Sequence, residues 1–126
     1  MLRTDVAVES DCRQLIEWTV ARFGRLDTLV NNAGATMWAR VDEIRDLGML
    51  DRIMRVNYMG SVYCTAHALP HLKASRGRIV GIASTTVDGV PALLVYLAKD
   101  GATQVVVVTG CGGEAPSARA SAPVSR

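Results

Sequence analysis

The residues of this sequence whose types and spacing best suit chemistry are Ser84, Tyr96 and Lys99. A phenol can pass a proton to or from a substrate oxygen, and a nearby ammonium favours the phenolate form. Side chains three or four apart share a helix face, so Tyr96 and Lys99 are expected to be neighbours on a helix. The Ser84 hydroxyl could hydrogen-bond the same oxygen. This chemistry suits hydride transfer to or from a carbonyl, which also needs a hydride-carrying cofactor.

A second polar cluster, Asn31-Asn32-Ala33-Gly34, follows a short apolar segment. That segment, residues 27–31, is too short for a helix and is apolar at its centre, so it is predicted to be a buried strand. Residues 78–84 have the same character and end at Ser84. The Asn-Gly cluster and Ser84 therefore each lie at the end of a predicted strand. A plain strand-to-loop turn is the alternative interpretation of the Asn-Gly cluster, because these residues favour turns.

Two helices are predicted beside these strands. Apolar residues recur at three- and four-residue spacing from 8 to 23, with Ser10 as the expected N-terminal cap. Gly24 is expected to end this helix in the left-handed conformation. A longer helical pattern covers roughly residues 47–72, and Pro70 is expected to kink or end its last turn.

The order helix, strand, helix, strand predicts an α/β fold, a partial doubly wound parallel sheet with helical crossovers. Ligands of such sheets collect at the carboxyl ends of the strands, where Ser84 and the Asn-Gly cluster lie. Residues 104–108 could add one more strand. Residues 110–126 are rich in Gly, Ala, Ser and Pro and are predicted to be a mostly disordered tail. A chain of 126 residues has room for a single domain, placed at residues 1–109.

Composition excludes several classes of function. The formal charge is +2 and the basic residues are scattered, so nucleic-acid binding is not expected. No apolar run approaches a membrane span, and no secretory leader is recognisable. The three cysteines have neither metal-type nor disulfide-type spacing, which favours a reducing cytoplasm. His67 and His71 are four apart but lack an accompanying motif glutamate, so no metal site is predicted.

The segment from Arg22 to Gly34, which ends in N-N-A-G, resembles the short-chain dehydrogenase/reductase family. The resemblance continues through Val56-Asn57-Tyr58-Met59-Gly60, through residues 77–84, and through Gly89-Val90-Pro91 to Tyr96. It covers roughly residues 3–101. It implies a Rossmann-like fold and an NAD(P)-dependent oxidoreductase acting on an alcohol or carbonyl.

The resemblance also implies roles for individual residues. Tyr96 would be the general acid/base, Ser84 would orient the substrate, and Asn57 would hold a water in a proton relay to Lys99. Lys99 would also promote ionisation of the tyrosine and hold the nicotinamide ribose. The cofactor, NAD or NADP, would be bound by these two residues and by a further set: Asp5, Val6, Asn31, Asn32, Ala33 and Gly34.

The sequence departs from the family pattern at two places. The glycine-rich turn T-G-x-x-x-G-x-G does not precede Met1, so a truncated member with an exposed apolar edge at strand 28–31 is expected. The family spacing Tyr-x-x-x-Lys is one residue shorter here, as Tyr96-Leu97-Ala98-Lys99, which moves the lysine about 100° around a helix.

Two functional hypotheses follow. The first is an NAD(P)-dependent oxidoreductase with a small-molecule alcohol or carbonyl substrate. The second is a catalytically inactive fragment or self-association module of the same family. In the family, the helix around Asn57 packs between subunits, so a homo-oligomer formed through residues 47–73 is expected for either.

Overall fold

The computed structural model describes residues 2–37, 39–87, 90–99, 102–109 and 117–120. Side chains are described through Ser84 and again at 95–98 and 106. The chain divides into two compact units. One comprises residues 1–25 and 33–70, and the other comprises residues 26–32 and 71–126.

Helix α1 (Glu9–Phe23) confirms the first predicted helix. Gly24 ends it as expected, with φ 76° and its N–H donating to the Val20 carbonyl at 2.8 Å. The prediction that Ser10 caps the start is wrong, because Ser10 lies inside the helix. The N-terminal cap position is occupied by Val8, which has an extended conformation. A turn in which the Val8 N–H donates to the Asp5 carbonyl at 3.0 Å leads into the helix two residues earlier than expected.

The second predicted helix is present as three consecutive segments. Helix α2 (Gly48–Met54) passes into a π-helical segment (Arg55–Met59) and then into helix α3 (Gly60–Ser75). A short 3₁₀ turn, Val41–Glu43, precedes them. Pro70 does not end the helix, which continues to Ser75. None of the helices in the described part of the chain is both long and apolar enough to cross a bilayer.

The core of the first unit is formed by small residues one helical turn apart. Cys12 and Ile16 are buried on α1, and Cys64 and Ala68 are buried on α3. The thiols of Cys12 and Cys64 are both free, whereas Cys111 lies outside the described residues.

The second unit contains a sheet of five described strands: β1 (Thr28–Asn31), β2 (Arg78–Val87), β3 (Val90–Lys99), β4 (Ala102–Thr109) and β5 (Ser117–Ala120). They are hydrogen-bonded in chain order, with β1 at one edge. Strands β1 and β2 are parallel, with Thr28 in register with Arg78, and helices occupy most of the chain between them. This confirms the predicted α/β class with a helical crossover.

The remaining described strand pairs are antiparallel, so among the described pairs the predicted parallel arrangement is limited to β1–β2. The physical reason is visible in the sequence. Asp88-Gly89 joins β2 to β3, and Asp100-Gly101 joins β3 to β4. An Asp-Gly pair between two apolar runs is a strong signal for a two-residue hairpin.

The end of α3 is joined to the sheet by a left-handed cap. Arg76 has φ 54° and its N–H donates to the Lys73 carbonyl, while the Gly77 N–H donates to the Leu72 carbonyl at 2.8 Å. This is the Schellman arrangement of a helix C-terminus. The Arg78 N–H then donates to the Asp27 carbonyl at 2.9 Å, which starts the β1–β2 pair.

The predicted tail falls mostly outside the described residues. Residues 110–116 and 121–126 are not among them, while Ser117–Ala120 forms β5 and pairs with β4. The expectation of a mostly disordered tail stays a prediction. The predicted strand at 104–108 is confirmed as part of β4.

Candidate functional site

A cleft of about 480 Å³ opens beside the N-terminal turn of the first unit. Asp5, Val6 and Ala33, which are separated in sequence but were all expected to contact a cofactor, lie together in its wall. Four further residues line it: Arg3, Thr4, Asp11 and Val56. The structure thus brings half of the six residues expected on the adenosine side to one cleft.

Hydrogen bonds define the conformation of the turn at Asp5. The Ala7 N–H donates to Asp5 Oδ1 at 3.0 Å, and the Asp5 N–H donates to Asp11 Oδ2, also at 3.0 Å. Asp5 is exposed. A carboxylate offers about four acceptor positions, so Asp5 keeps capacity for N–H donors of a ligand.

Thr4 lines the cleft and carries an unusual polar atom. Its Oγ1 is buried, and it has no hydrogen-bond partner among the described residues. A buried hydroxyl without a partner costs about 1–3 kcal/mol of folding free energy.

Asn57 lies at the centre of the π-helical segment, and its side chain pairs with the backbone of one residue, Ala35. The Ala35 N–H donates to Asn57 Oδ1 at 2.7 Å, and Asn57 Nδ2 donates to the Ala35 carbonyl at 2.8 Å. Single π turns within α-helices often occur at functional sites. Asn57 is exposed. Its two bonds anchor the loop that carries Ala33 and Gly34.

Gly60 lets the start of α3 approach the N-terminal turn closely. A Cβ at this position would lie 3.1 Å from Val6 Cβ, from Val6 Cγ2 and from the Val6 carbonyl oxygen. Contacts this short require the neighbour to move. The absence of a side chain at Gly60 therefore determines where Val6 sits in the cleft wall.

In the second unit, Tyr96 belongs to a row of residues across the sheet. Asn31 on β1 is in register with Gly81 on β2, which is in register with Tyr96 on β3. A Cβ at Gly81 would be 3.7 Å from Tyr96 Cβ and 3.8 Å from its ring atom Cδ2, so the ring lies against this glycine. Asn31 and Tyr96 face the same side of the sheet, two strand spacings or about 10 Å apart.

Ser84 and Tyr96 are not brought together. Ser84 is in register with Leu93, whereas Tyr96 is in register with Gly81, three residues away on the same strand. Residues three apart on a strand face opposite sides of the sheet, so Ser84 and Tyr96 do so as well. Both side chains are exposed.

The expectation that Tyr96 and Lys99 lie on a helix is wrong, because both belong to strand β3. Three residues of extended chain span about 10 Å, against roughly 5 Å along a helix. The helical reason for pairing them therefore does not apply here. The side chain of Lys99 lies outside the described part of the chain.

His67 links two helices of the first unit. His67 Nε2 lies 3.3 Å from Glu9 Oε1, which joins α3 to α1. No group of three or more His, Cys, Asp or Glu side chains in the described regions is arranged to hold a metal ion.

The sequence did not identify Arg3, Thr4, Asp11 and Val56 as residues of the cleft. Asp11 could have been found, since it is an acidic residue in the first turn of α1 and can accept a backbone N–H just before the helix. Thr4 carried no signal, because an unpartnered hydroxyl can be recognised only in three dimensions.

Comparison with known proteins agrees with the geometry. The family model described as short chain dehydrogenase matches residues 1–111. The chain is 39% identical over 103 residues to 11-beta-hydroxysteroid dehydrogenase-like 4A of Arabidopsis thaliana, covering 81% of this chain and 34% of that protein. The chain thus spans about a third of the length of this relative.

Solved structures show the same likeness. A mutant of the Serratia marcescens short-chain dehydrogenase/reductase superimposes with a TM-score of 0.62 at 34% identity, covering 68% of this chain and 36% of that one. An NADH-dependent reductase, A1-R', responsible for alginate metabolism and solved in complex with NAD, gives a TM-score of 0.54 at 35% identity, covering 58% of this chain and 30% of that one. With its matched family model, its N-N-A-G loop and its helix-connected parallel strands, the chain belongs to the short-chain dehydrogenase family.

Proposed function

We propose that the protein to which this chain belongs is an NAD(P)-dependent oxidoreductase that transfers a hydride between a nicotinamide cofactor and an alcohol or carbonyl substrate. The observation that carries the proposal is the cleft in which Asp5, Val6 and Ala33 meet. These three residues were expected to contact the adenosine part of the cofactor. One of the structurally similar reductases holds NAD.

The polar groups of the cleft fit an adenine ring. Adenine carries N–H donors on its edge, and these match the exposed Asp5 carboxylate, which keeps free acceptor positions. The methyl groups of Val6 and Ala33 supply apolar contact for the ring faces.

Residues of this chain would divide the remaining work. A bound nicotinamide supplies or accepts the hydride. Tyr96 would give or take the proton at the substrate oxygen, and Ser84 would donate a hydrogen bond to that oxygen. Lys99 would hold the ribose and Asn57 would contribute to proton relay. Asn31, Asn32 and Gly34 would complete the cofactor contacts.

A second candidate is a member of the family that binds the nucleotide without catalysing hydride transfer. It is favoured by the opposite-face placement of Ser84 and Tyr96 on the antiparallel pair β2–β3. A hydroxyl and a phenol on opposite sides of a sheet cannot bind one substrate oxygen. In this case the cleft of the first unit would still bind adenosine.

Titration of NADH and of NADPH against the purified protein, followed by nicotinamide fluorescence, tests nucleotide binding. Saturable binding together with cofactor turnover in the presence of a panel of alcohols and carbonyls supports the oxidoreductase. Tyr96→Phe should then abolish turnover, because it removes the group that gives or takes the proton. Saturable binding without turnover supports the second candidate, and absence of binding at millimolar cofactor contradicts both.

The proposal includes a homo-oligomer. Exposed apolar side chains recur every three or four residues from the start of α2 into α3, at Leu47, Leu50, Met54, Tyr58 and Val62, and Leu69 follows two helical turns later. A continuous apolar stripe on a helix needs a partner surface, and a second copy of the chain offers an identical one. Sedimentation equilibrium should show self-association that Val62→Glu weakens and Gln14→Glu, on exposed α1, does not.

A cytoplasmic location is part of the same proposal. It is supported by the spacing of the three cysteines, which is of neither the metal type nor the disulfide type. A tagged protein found in a secretory compartment would contradict it.

A further inference from the structure

Cys12 is the most deeply buried reactive group of the described chain, and its thiol makes a specific bond. The side chain has 0% exposure. Its Sγ lies 3.4 Å from the Val6 carbonyl oxygen and donates a hydrogen bond to it. Val6 is part of the cleft wall. Cys12 on helix α1 therefore binds the backbone of a residue that lines the cleft.

The Val6 carbonyl is held from a second direction by α3. A Cβ on Gly60 would lie 3.1 Å from the same carbonyl oxygen. The Val6 carbonyl oxygen therefore lies between the thiol of Cys12 and the α-carbon of Gly60, which carries no side chain. Such confinement leaves the Val6–Ala7 peptide little freedom to rotate.

The thiol of Cys64 belongs to the same core. Cys64 is 6% exposed, and it is among the groups that raise the pKa of Cys12. The bond from Cys12 to the Val6 carbonyl is made without it.

Protonation of Cys12 is maintained by its surroundings. Burial, followed by the hydrogen bond and charge of Cys64, raises the pKa of Cys12 to about 12. The S–H donor is therefore present throughout the physiological range. A thiolate at this position would instead repel the Val6 carbonyl oxygen.

We propose that Cys12 is a positioning residue for nucleotide binding, which acts through its S–H bond to the Val6 carbonyl to hold the turn that faces the cofactor. The inference rests on the proposed function in one respect, that the ligand of this cleft is the adenosine part of NAD(P). Cys12 does not touch the ligand. Its contribution is to reduce the conformational freedom that the turn would otherwise lose on binding.

Three variants separate positioning from simple packing. Cys12→Ala removes the sulfur and the bond to Val6, while Cys64→Ala removes the same volume from the same core and leaves that bond in place. Cys12→Ser keeps a hydroxyl donor. The two alanine variants are expected to lower the unfolding temperature by similar amounts, because each leaves a cavity of similar size.

The first measurement is hydrogen exchange at the amides of Ala7 and Val8, whose N–H groups are bonded to Asp5 in the turn. Exchange at these two amides should be roughly three- to fivefold faster in Cys12→Ala, as for loss of one hydrogen bond, and close to wild type in Cys64→Ala and Cys12→Ser. The second measurement is binding of ADP-ribose by calorimetry. Its Kd should rise roughly three- to fivefold in Cys12→Ala alone.

The two measurements distinguish the two proposals. If wild type fails to bind ADP-ribose, the proposed function of the cleft is wrong, while the exchange data still decide whether Cys12 holds the turn. Equal exchange in Cys12→Ala and Cys64→Ala, or no recovery in Cys12→Ser, overturns the role of Cys12. Faster exchange in Cys12→Ala with unchanged ADP-ribose affinity also overturns it as a positioning residue for binding.

Discussion

The side-chain amide of Asn57 and the backbone of Ala35 form a closed pair of hydrogen bonds at 2.7 and 2.8 Å. The pair connects the π-helical segment to the loop after the N-N-A-G motif. It satisfies both polar atoms of the asparagine with the backbone N–H and carbonyl of a single residue. No other amino acid can form the same pair with this reach, since aspartate lacks the donor and glutamine is one carbon longer.

Asn57→Ala should therefore destabilise the protein by about 1–2 kcal/mol, the net value of two hydrogen bonds at an exposed site. Asn57→Asp should be comparably destabilising because its carboxylate would face the Ala35 carbonyl. Urea denaturation monitored by circular dichroism measures both. Ser61→Ala is the control, because it removes one long 3.4 Å bond to the Asn57 carbonyl and leaves the pair intact. A change below about 0.3 kcal/mol in both Asn57 variants would show that water replaces the pair without cost.

Gly60→Ala should disturb the cleft more than the fold. Alanine favours a helix over glycine by about 1 kcal/mol, but its Cβ would meet three Val6 atoms at 3.1 Å. These effects oppose each other, so the free energy of unfolding should change by less than about 1 kcal/mol, while nucleotide affinity falls. Gly48→Ala is the matched control, since its Cβ would meet only the flexible side chain of Asp46. Equal nucleotide affinity in the two variants would contradict the prediction.

Gly77→Ala should be strongly destabilising. Its Cβ would lie 2.6 Å from the Asp27 carbonyl oxygen and 2.8 Å from Leu72 Cδ2, and the first of these is backbone that cannot turn aside. We expect a loss of about 3 kcal/mol or more. Gly24→Ala provides the comparison, since nothing lies within 4 Å of its Cβ and only the left-handed conformation, worth about 1 kcal/mol, opposes it. Thermal unfolding of the two variants should rank them in this order, and the reverse order would refute the steric argument.

Arg76→Gly should stabilise the protein. Arg76 has φ 54° in the cap of α3, a conformation that costs an ordinary side chain about 1 kcal/mol and costs glycine much less. The free energy of unfolding should increase by about 0.5–1 kcal/mol, because the greater freedom of glycine in the unfolded chain offsets part of the gain. Arg76→Ala keeps the Cβ and should give no such increase. Equal stability of the two variants would mean that the left-handed conformation is not strained.

Stability should fall at alkaline pH through Cys12. The pKa of this thiol is raised from 9.0 to about 12 in the folded protein by burial and by Cys64. The folded state therefore holds its proton longer than the unfolded state does, so this contribution is complete below pH 9 and is lost as pH rises towards 12. The difference in unfolding temperature between wild type and Cys12→Ala should narrow across that window. A constant difference from pH 7 to 11 would contradict the raised pKa.

Local periodicity and short motifs were sufficient to predict several helices and strands from the amino-acid sequence. Helix α1 with its Gly24 end, the strands at residues 28–31 and 78–84, and the long helical run around Asn57 all follow from the spacing of apolar residues and from glycine. The N-N-A-G segment identified the family. These features were predictable because neighbouring residues decide them.

The arrangement after Ser84 was predicted less well, although the sequence contained a signal for it. The prediction extended a helix through Tyr96 and Lys99, while two Asp-Gly pairs flank this segment and favour hairpins. Leu and Ala at 92–98 are compatible with either structure by composition. The choice was made by pairing with β2 and β4, which depends on residues distant in sequence.

The contacts that build the cleft and its support depend on how the chain packs. Gly60 fits against Val6 from a segment far away in the chain. The bond from Cys12 to Val6 and the unpartnered hydroxyl of Thr4 depend on burial. No local pattern encodes such distances. Periodicity specifies which face of a helix is apolar, but the atom that a thiol or a bare α-carbon meets is set by how the helices pack.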